Sequence, residues 1–229
     1  PEDLRQAVTL REIEGLSYPD AVRALAKRAG LEVPEDEQYQ SRNRQQERLW
    51  ALHKEAAQAL AASFAAHQTR KEYLALVRGW LPGALEVDHA LKPDDAPDDA
   101  PVQEAHTTLR CLSQLSWPES YDGRHAETRI SLVQALPTTG RRHQIRRHLK
   151  HVAHPIIGDA THGKGPLNRW WAERLGQQRL WLHAKALEIA HPVSGQPLRF
   201  EADWSALSHV PEAQDWQKLL ALPGWQSIT

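Results

Sequence analysis

Between Arg141 and His154 the chain carries five Lys/Arg and four His and no acidic residue. Cations gathered in this way bind phosphate, and their number sets how steeply binding falls with salt. Helical spacing divides the segment into two faces. Ile145, Leu149 and Val152 form an apolar stripe that can dock on a sheet. Arg142, Arg146 and Lys150 recur at every fourth position beside it. Thr138-Thr139-Gly140 leads into this helix, and a turn there leaves backbone N–H groups at a helix start, where an anion is favoured. A solvated basic face is the plain alternative. His143, His148, His151 and His154 raise the question of a metal. Their spacing is irregular for one tetrahedral site and no cysteine or carboxylate cluster joins them, so no metal is expected.

Several elements must position this segment. Glu72–Arg78 reads as a strand closed by Gly79, and Pro82-Gly83 as a turn. Thr107–Trp117 and Ala126–Leu136 read as strands, the second rich in β-branched residues. The basic helix runs from about Arg142 to His151, and Pro155-Ile156-Ile157-Gly158 breaks it. A short helix over Asn168–Arg174, strands over Arg179–Ile189 and Leu198–Ala202, and a helix between Glu212 and Leu222 complete the series. Upstream, residues 1–54 read as helical, with a polar linker from Pro34 to Gln46 and an alanine-rich helix over Glu47–Gln68. Strands and helices so mixed imply an α+β fold.

The chain has 229 residues, 41% of them apolar, which suits a sizeable core. No apolar run approaches a membrane span, so no membrane partner is expected. Cys111 is the one cysteine, which excludes an internal disulfide framework and fits a reducing cytoplasm; it is expected to be a buried, inert thiol. The sequence begins at Pro1 and lacks methionine, as a processed chain or a piece of a longer reading frame would. Net charge is −1, but that average hides a pattern. Residues 105–200 hold fourteen Lys/Arg against six Asp/Glu, whereas residues 86–104 are acidic around the low-complexity run Pro93–Pro101. The first is a footprint for phosphate and the second a solvated loop.

Thr139-Gly-Arg-Arg-His-Gln-Ile-Arg-Arg-His-Leu149, followed by His154-Pro-Ile-Ile-Gly-Asp159, resembles the motif of RluA-type RNA pseudouridine synthases. Lys71-Glu72-Tyr73 with Val77-Arg78-Gly79 resembles their Lys-x-Tyr strand, and Leu182-His183-Ala184 with His191-Pro192 their last strand pair. Gly163-Lys164-Gly165, Asn168-Arg169, Arg174 and Leu180–His183 narrow the resemblance to the tRNA pseudouridine synthase C group. It extends from about Glu55 to Trp204. It implies a mixed, mainly antiparallel sheet, no cofactor, and RNA, most specifically tRNA, as partner. It implies isomerisation of a uridine flipped from its stack into a pocket, with an aspartate as nucleophile. Tyr73 would stack on the uracil and Arg146 would pair with that aspartate. Arg141, Arg142, His143, Gln144, Arg147, Lys150 and Lys164 would contact RNA. Asp159 is expected to be structural and His183 a core histidine. Apart from the resemblance, the tryptophans read mostly as core residues, with Trp170-Trp171 beside Arg169 as an alternative stacking platform.

The family's nucleophile lies in a His-Arg-Leu-Asp-x-x-Thr-Ser-Gly loop, and none of the twelve aspartates here has that context. The reading is therefore a synthase-like domain over residues 51–229 whose sheet is incomplete at its N-terminal side and whose turnover is impaired. A non-catalytic RNA-binding module is the rival reading. Residues 1–50 form a preceding helical segment, and Ile13–Pro34 resembles the end of the zinc-binding domain and linker of bacterial DNA primase, without its cysteines. That segment is a candidate interaction module, with a join to the rest near residues 48–56. The oligomeric state is not set by sequence, although an uncovered sheet edge would invite association.

Overall fold

A computed structural model describes residues 62–64, 66–93, 96–97, 99–191, 194–202 and 211–228. The expectations for residues 1–54, and the join near residues 48–56, lie outside them. The described residues fall into two compact units, residues 71–185 with 211–228 and residues 62–70 with 186–202.

The larger unit is built on β1 (Arg70–Arg78), β2 (Ala84–Asp88), β3 (His106–Trp117), β4 (Thr128–Pro137) and the start of β5 (Leu182–Ala190), in the order β2-β3-β4-β1-β5. The β2–β3, β3–β4 and β1–β4 ladders are antiparallel, with Tyr73 opposite Ala135 and Arg78 opposite Ile130. A short β7 (Gln226–Ser227) pairs with β3. Three helices accompany the sheet: α1 (Gln144–His151), α2 (Gly165–Leu175) and α3 (Pro211–Leu220).

β1 is apolar in succession because both its faces are buried. Leu74 and Leu76 join a core with Leu115, Ile130, Leu132, Trp171 of α2 and Trp216 and Leu219 of α3. Ala75 and Val77 join another with Leu109, Val133, Ala135 and Ile145 and Leu149 of α1, and Tyr73 packs against it. The period of two along a strand thus sorts the helices between two faces, which gives the expected α+β architecture.

The expected elements recur with shifted ends. α1 starts at Gln144 rather than Arg142 because His143 takes a left-handed conformation, φ 54°. α2 starts earlier than expected, at Gly165, with Pro166 in its first turn. β2 was hidden in the acidic region: Leu85 and Val87 alternate with Glu86, whose carboxylate accepts a 2.8 Å bond from the Thr108 hydroxyl. Cys111 is buried as expected, beside an irregularity in β3 between Cys111 and Ser113.

The His154–Gly158 breaker is a structural wedge. Arg78 N donates to Pro155 O, Ile157 N to Leu76 O, and Trp181 N to Ile157 O. The segment therefore lies alongside β1 and the approach to β5. Gly158 has φ +79°, and a Cβ there would sit 1.6 Å from Arg179 O, so no side chain fits.

The smaller unit holds the second half of β5, paired antiparallel with β6 (Pro197–Glu201). Leu187, Ile189 and Phe200 form its core, joined by Phe64 and Leu198. Among the described residues no helix is long and apolar enough to cross a membrane.

Candidate active site and nucleic-acid interface

The turn after β4 is held by one side chain. Gln144 Oε1 accepts from the Thr139 hydroxyl at 2.7 Å and from Arg141 N at 2.9 Å. Its Nε2 donates to His106 O at 2.9 Å and to the Thr107 hydroxyl at 3.0 Å. Thr139 Oγ1 also accepts from His106 N. The relay continues along α1. Thr107 Oγ1 receives from Gln144, so its own hydrogen goes to His148 Nδ1, 2.9 Å away, and His148 Nε2–H donates to His89 O at 3.0 Å. Buried His148 is therefore the neutral Nε2–H tautomer, and burial holds its pKa below the ordinary value. A buried amide with all four valences satisfied fixes a turn as firmly as packing does.

This turn is tied to β1. Lys71 Nζ donates to Thr139 O at 3.0 Å and would lie 3.5 Å from a Cβ at Gly140. Burial lowers the Lys71 pKa. Tyr73 is two residues on, hence on the same strand face, which α1 covers. Lys71 and the tyrosine thus share a face with the turn and the helix.

Arg146 grips Asp159 with a fork: Nε to Oδ2 and Nη2 to Oδ1, each at 2.7 Å. The Asp159 side chain is 0% exposed and that of Arg146 16%. Oδ1 also accepts from Thr161 N at 2.9 Å and His162 N at 2.8 Å. Burial pushes the Asp159 carboxyl up, but the Arg146 fork and the two backbone donors outweigh it and hold its pKa below the usual value. Asn168 clamps the adjoining peptide, accepting from Gly158 N at 2.9 Å and donating to Asp159 O at 2.8 Å.

The residues read as RNA contacts separate into groups. Arg142 and Lys150 are exposed. Arg141 Nε donates to Glu104 O at 2.9 Å and Arg147 Nη1 to Lys92 O at 2.6 Å, so both hold the acidic segment against α1. A bridge between Leu91 and Gln103 closes that segment, which is more ordered at its base than a solvated loop. Arg141 N–H, expected to face an anion at the helix start, is taken by Gln144. Gln144 is 4% exposed and spends its amide on the protein, so its place differs from the RNA contact expected of it. The His143 ring meets that of His162 at 5.5 Å. Lys164 sends its amine to the Tyr121 hydroxyl at 2.6 Å.

The four histidines take separate duties. His151 stacks on His89 at 3.7 Å, and His154 Nδ1 bonds Arg78 O at 2.8 Å. Among the described residues no group of three or more potential ligands could hold a metal ion. Trp171 is fully buried and Trp170 lies under the Arg174 guanidinium at 3.6 Å, so the expected stacking pair is a core residue and an already covered ring. His183 is buried, as a core histidine is. Sequence reasoning missed Lys71, Thr107 and Asn168 as positioning residues. The signal for Lys71 was its two-residue offset from Tyr73; for Thr107 and Asn168 only the tertiary contact reveals the role.

Known proteins resemble this chain in sequence and fold. A family model described as RNA pseudouridylate synthase matches residues 49–151. A tRNA pseudouridine synthase C from Pectobacterium carotovorum is 41% identical over 79% of this chain, which covers 47% of that protein, about half its length. The Vibrio cholerae protein of the same name is 40% identical over 78% of this chain, which covers 72% of it. Among solved structures, human RNA Pseudouridylate Synthase Domain Containing 1 matches with a TM-score of 0.53 and 24% identity, covering 76% of this chain and 75% of that one, which speaks to the fold. With its basic helix, its Lys-x-Tyr strand and two-fifths identity to curated members, the chain belongs to the RNA pseudouridylate synthase family.

Proposed function

We propose that this chain holds tRNA and presents one of its uridines for isomerisation to pseudouridine. The observation that carries the reading is the Lys71–Thr139 bond, which locks the strand of Tyr73 to the turn that launches Arg146. In this reading the flipped uracil stacks on Tyr73, since any base offers a flat π-face to an aromatic ring. Exposed Arg142 and Lys150 receive phosphates.

Asp159 does not serve as nucleophile. Its two oxygens accept four hydrogen bonds, and attack would require breaking an ion pair in a nearly dry setting. Its work is to orient Arg146. A guanidinium has five N–H donors and Asp159 takes two along one edge, which fixes the direction in which the remainder point. A fixed cation beside a nucleophilic carboxylate would keep it ionised, which is the family role assigned to Arg146. No aspartate of this sequence stands in the family's nucleophile motif, so the reading assigns RNA binding to these 229 residues and expects isomerisation to be impaired.

Two assays on in vitro transcribed tRNA test the reading. Filter binding at two salt concentrations is expected to show affinity that falls with salt and with the Arg142→Ala, Lys150→Ala double substitution. Tritium release from uridine labelled at carbon 5 is expected to stay at background. Salt-independent or absent binding would sink the RNA reading, and brisk tritium release would sink the assignment of Asp159 and require another carboxylate.

A further inference from the structure

A cavity of about 540 Å³ opens at the far end of β1, lined by Arg78, Tyr121, Arg124, His125, Glu127 and Arg129 among others. Tyr73 and Arg78 are five residue steps apart along β1, roughly 17 Å at strand rise. The cavity is therefore distinct from the site around Lys71 and Tyr73, and its size is that of a small-ligand site.

Its walls are fixed. Gly79 N donates to Arg129 O at 2.8 Å, and the Ser131 hydroxyl donates to Gly79 O at 2.9 Å. Arg78 is gripped by its backbone from both sides, through Pro155 O and the His154 ring. The loop between β3 and β4 is pinned by Thr128, whose hydroxyl donates to Glu119 O at 2.7 Å and accepts from Tyr121 N at 3.0 Å.

Its positive charge is only partly compensated. The Arg78 and Arg124 guanidiniums and the His125 ring make no hydrogen bond or ion pair with a described residue. Asp122 attracts Arg124 and His125 through space, without a side-chain bond to either, while its carboxyl accepts from Arg124 N at 3.1 Å. Glu127 is bound by Arg129 at 2.5 Å and by the Ser116 hydroxyl. Lys164 adds its charge from above the Tyr121 ring, 5.0 Å from the centroid. Arg129 also lies 4.1 Å over the ring of Trp80, itself 39% exposed. Cations on a strand and on a pinned loop, beside the half-buried Tyr121 ring and the exposed Trp80 ring, are what a nucleic-acid backbone needs, charge for phosphates and flat faces for sugars and bases. The contrast with α1 and the turn before it matters, because Arg141, Arg146 and Arg147 there already hold protein atoms.

We propose that this cavity is a second RNA-binding site, which takes phosphodiester groups of the same tRNA away from the uridine pocket. The proposal rests on the RNA reading above. The experiment is filter binding of the tRNA transcript across a salt series. It compares the intact chain with Arg78→Ala plus Arg124→Ala, with Arg124→Ala alone, and with Arg142→Ala plus Lys150→Ala. Arg124 stands on an exposed loop, so its single substitution reports even where the double variant folds poorly. The expected result is a several-fold loss of affinity and a salt slope shallower by about 1 for each cation removed, at an unchanged thermal midpoint. Unchanged affinity and slope in the cavity variants, with loss in the α1 variant, would overturn the second site and leave the RNA reading standing. Absence of binding by the intact chain would overturn both.

Discussion

At the Lys71 end of β1 the polar groups are bonded to the protein itself, whereas at the Arg78 end two guanidiniums and an imidazole line a cavity unbonded. The first end meets the basic helix motif, whereas most of the lining at the second comes from the β3–β4 loop, outside any motif. Gln144, Arg146 and Asp159 look like chemistry when read as letters, yet in the fold they consume one another's hydrogen bonds. Dense interior bonding makes a rigid support, and a ligand meets what reaches the surface: exposed Arg142 and Lys150 at one end, the Arg78 and Arg124 guanidiniums at the other. Motif residues can thus be needed for function without touching a substrate.

The strongest test of the support is Gly158→Ala. The new Cβ would fall 1.6 Å from Arg179 O, a backbone atom that cannot swing aside, at a φ that side chains rarely adopt. We expect loss of the cooperative thermal transition; a variant melting like the parent would show that the wedge does not hold β1. Next comes Asp159→Ala, which strands the Arg146 charge and two backbone N–H groups in a buried place. Breaking such a pair costs about 3–5 kcal/mol, measurable by urea denaturation, and a cost below about 1 kcal/mol would remove Asp159 from its supporting role.

Gln144→Ala divides support from contact. It leaves His106 O, Arg141 N and two hydroxyls short of a partner, at about 1–3 kcal/mol for such orphaned groups. Because Gln144 meets no phosphate in this account, the salt slope of tRNA binding should not change. Lys150→Ala should do the reverse, leaving stability within about 0.5 kcal/mol while reducing the slope by about 1. If both variants changed the slope alike, the distinction between the supporting and the contacting residues would collapse.

Much of the fold was legible because its signals are local. β1, β3 and β4 announce themselves by apolar and β-branched runs, and α1 by Ile145 and Leu149 on one stripe. β2 was not legible, since Glu86 and Asp88 made it look like part of a charged loop and only pairing with β3 makes it a strand. The site divides in the same way. Residue types and spacing placed Tyr73 on its strand and Arg146, Arg147 and Lys150 on their helix, while Arg142 falls in the turn before it. Which cation is occupied depends on carbonyls far away in sequence, Lys92 for Arg147 and Glu104 for Arg141. The cavity at Arg78 escaped notice because its lining comes from β1, the β3–β4 loop and α2, with no pattern linking them along the chain.

The smallest expected effect is a pH dependence at the Lys71 end. His148 is neutral between the Thr107 hydroxyl and His89 O, and burial depresses its pKa, helped by the nearby His89, His151 and Arg147 charges against the pull of the His89 carbonyl. His89 is depressed in the same direction, by burial first and then by His151 and Arg147. Both pKa values lie lower in the folded chain than the roughly 6.5 of an unfolded histidine, so the unfolded chain binds more protons in that window. Stability from these neutral rings is full above about pH 6.5 and is lost as pH falls toward the folded values. These rings pull the thermal midpoint down between pH 7 and pH 5, whereas buried Glu212, its carboxyl pushed up to about 7, takes up a proton in the same window and pulls the midpoint up. The parent's midpoint should therefore drop more steeply with falling pH than that of His148→Gln, whose amide can still donate to a carbonyl and accept from a hydroxyl without titrating. An equally steep drop in that variant would place the sensitivity elsewhere, and the relay from Gln144 through Thr107 would then be a bystander to acid unfolding.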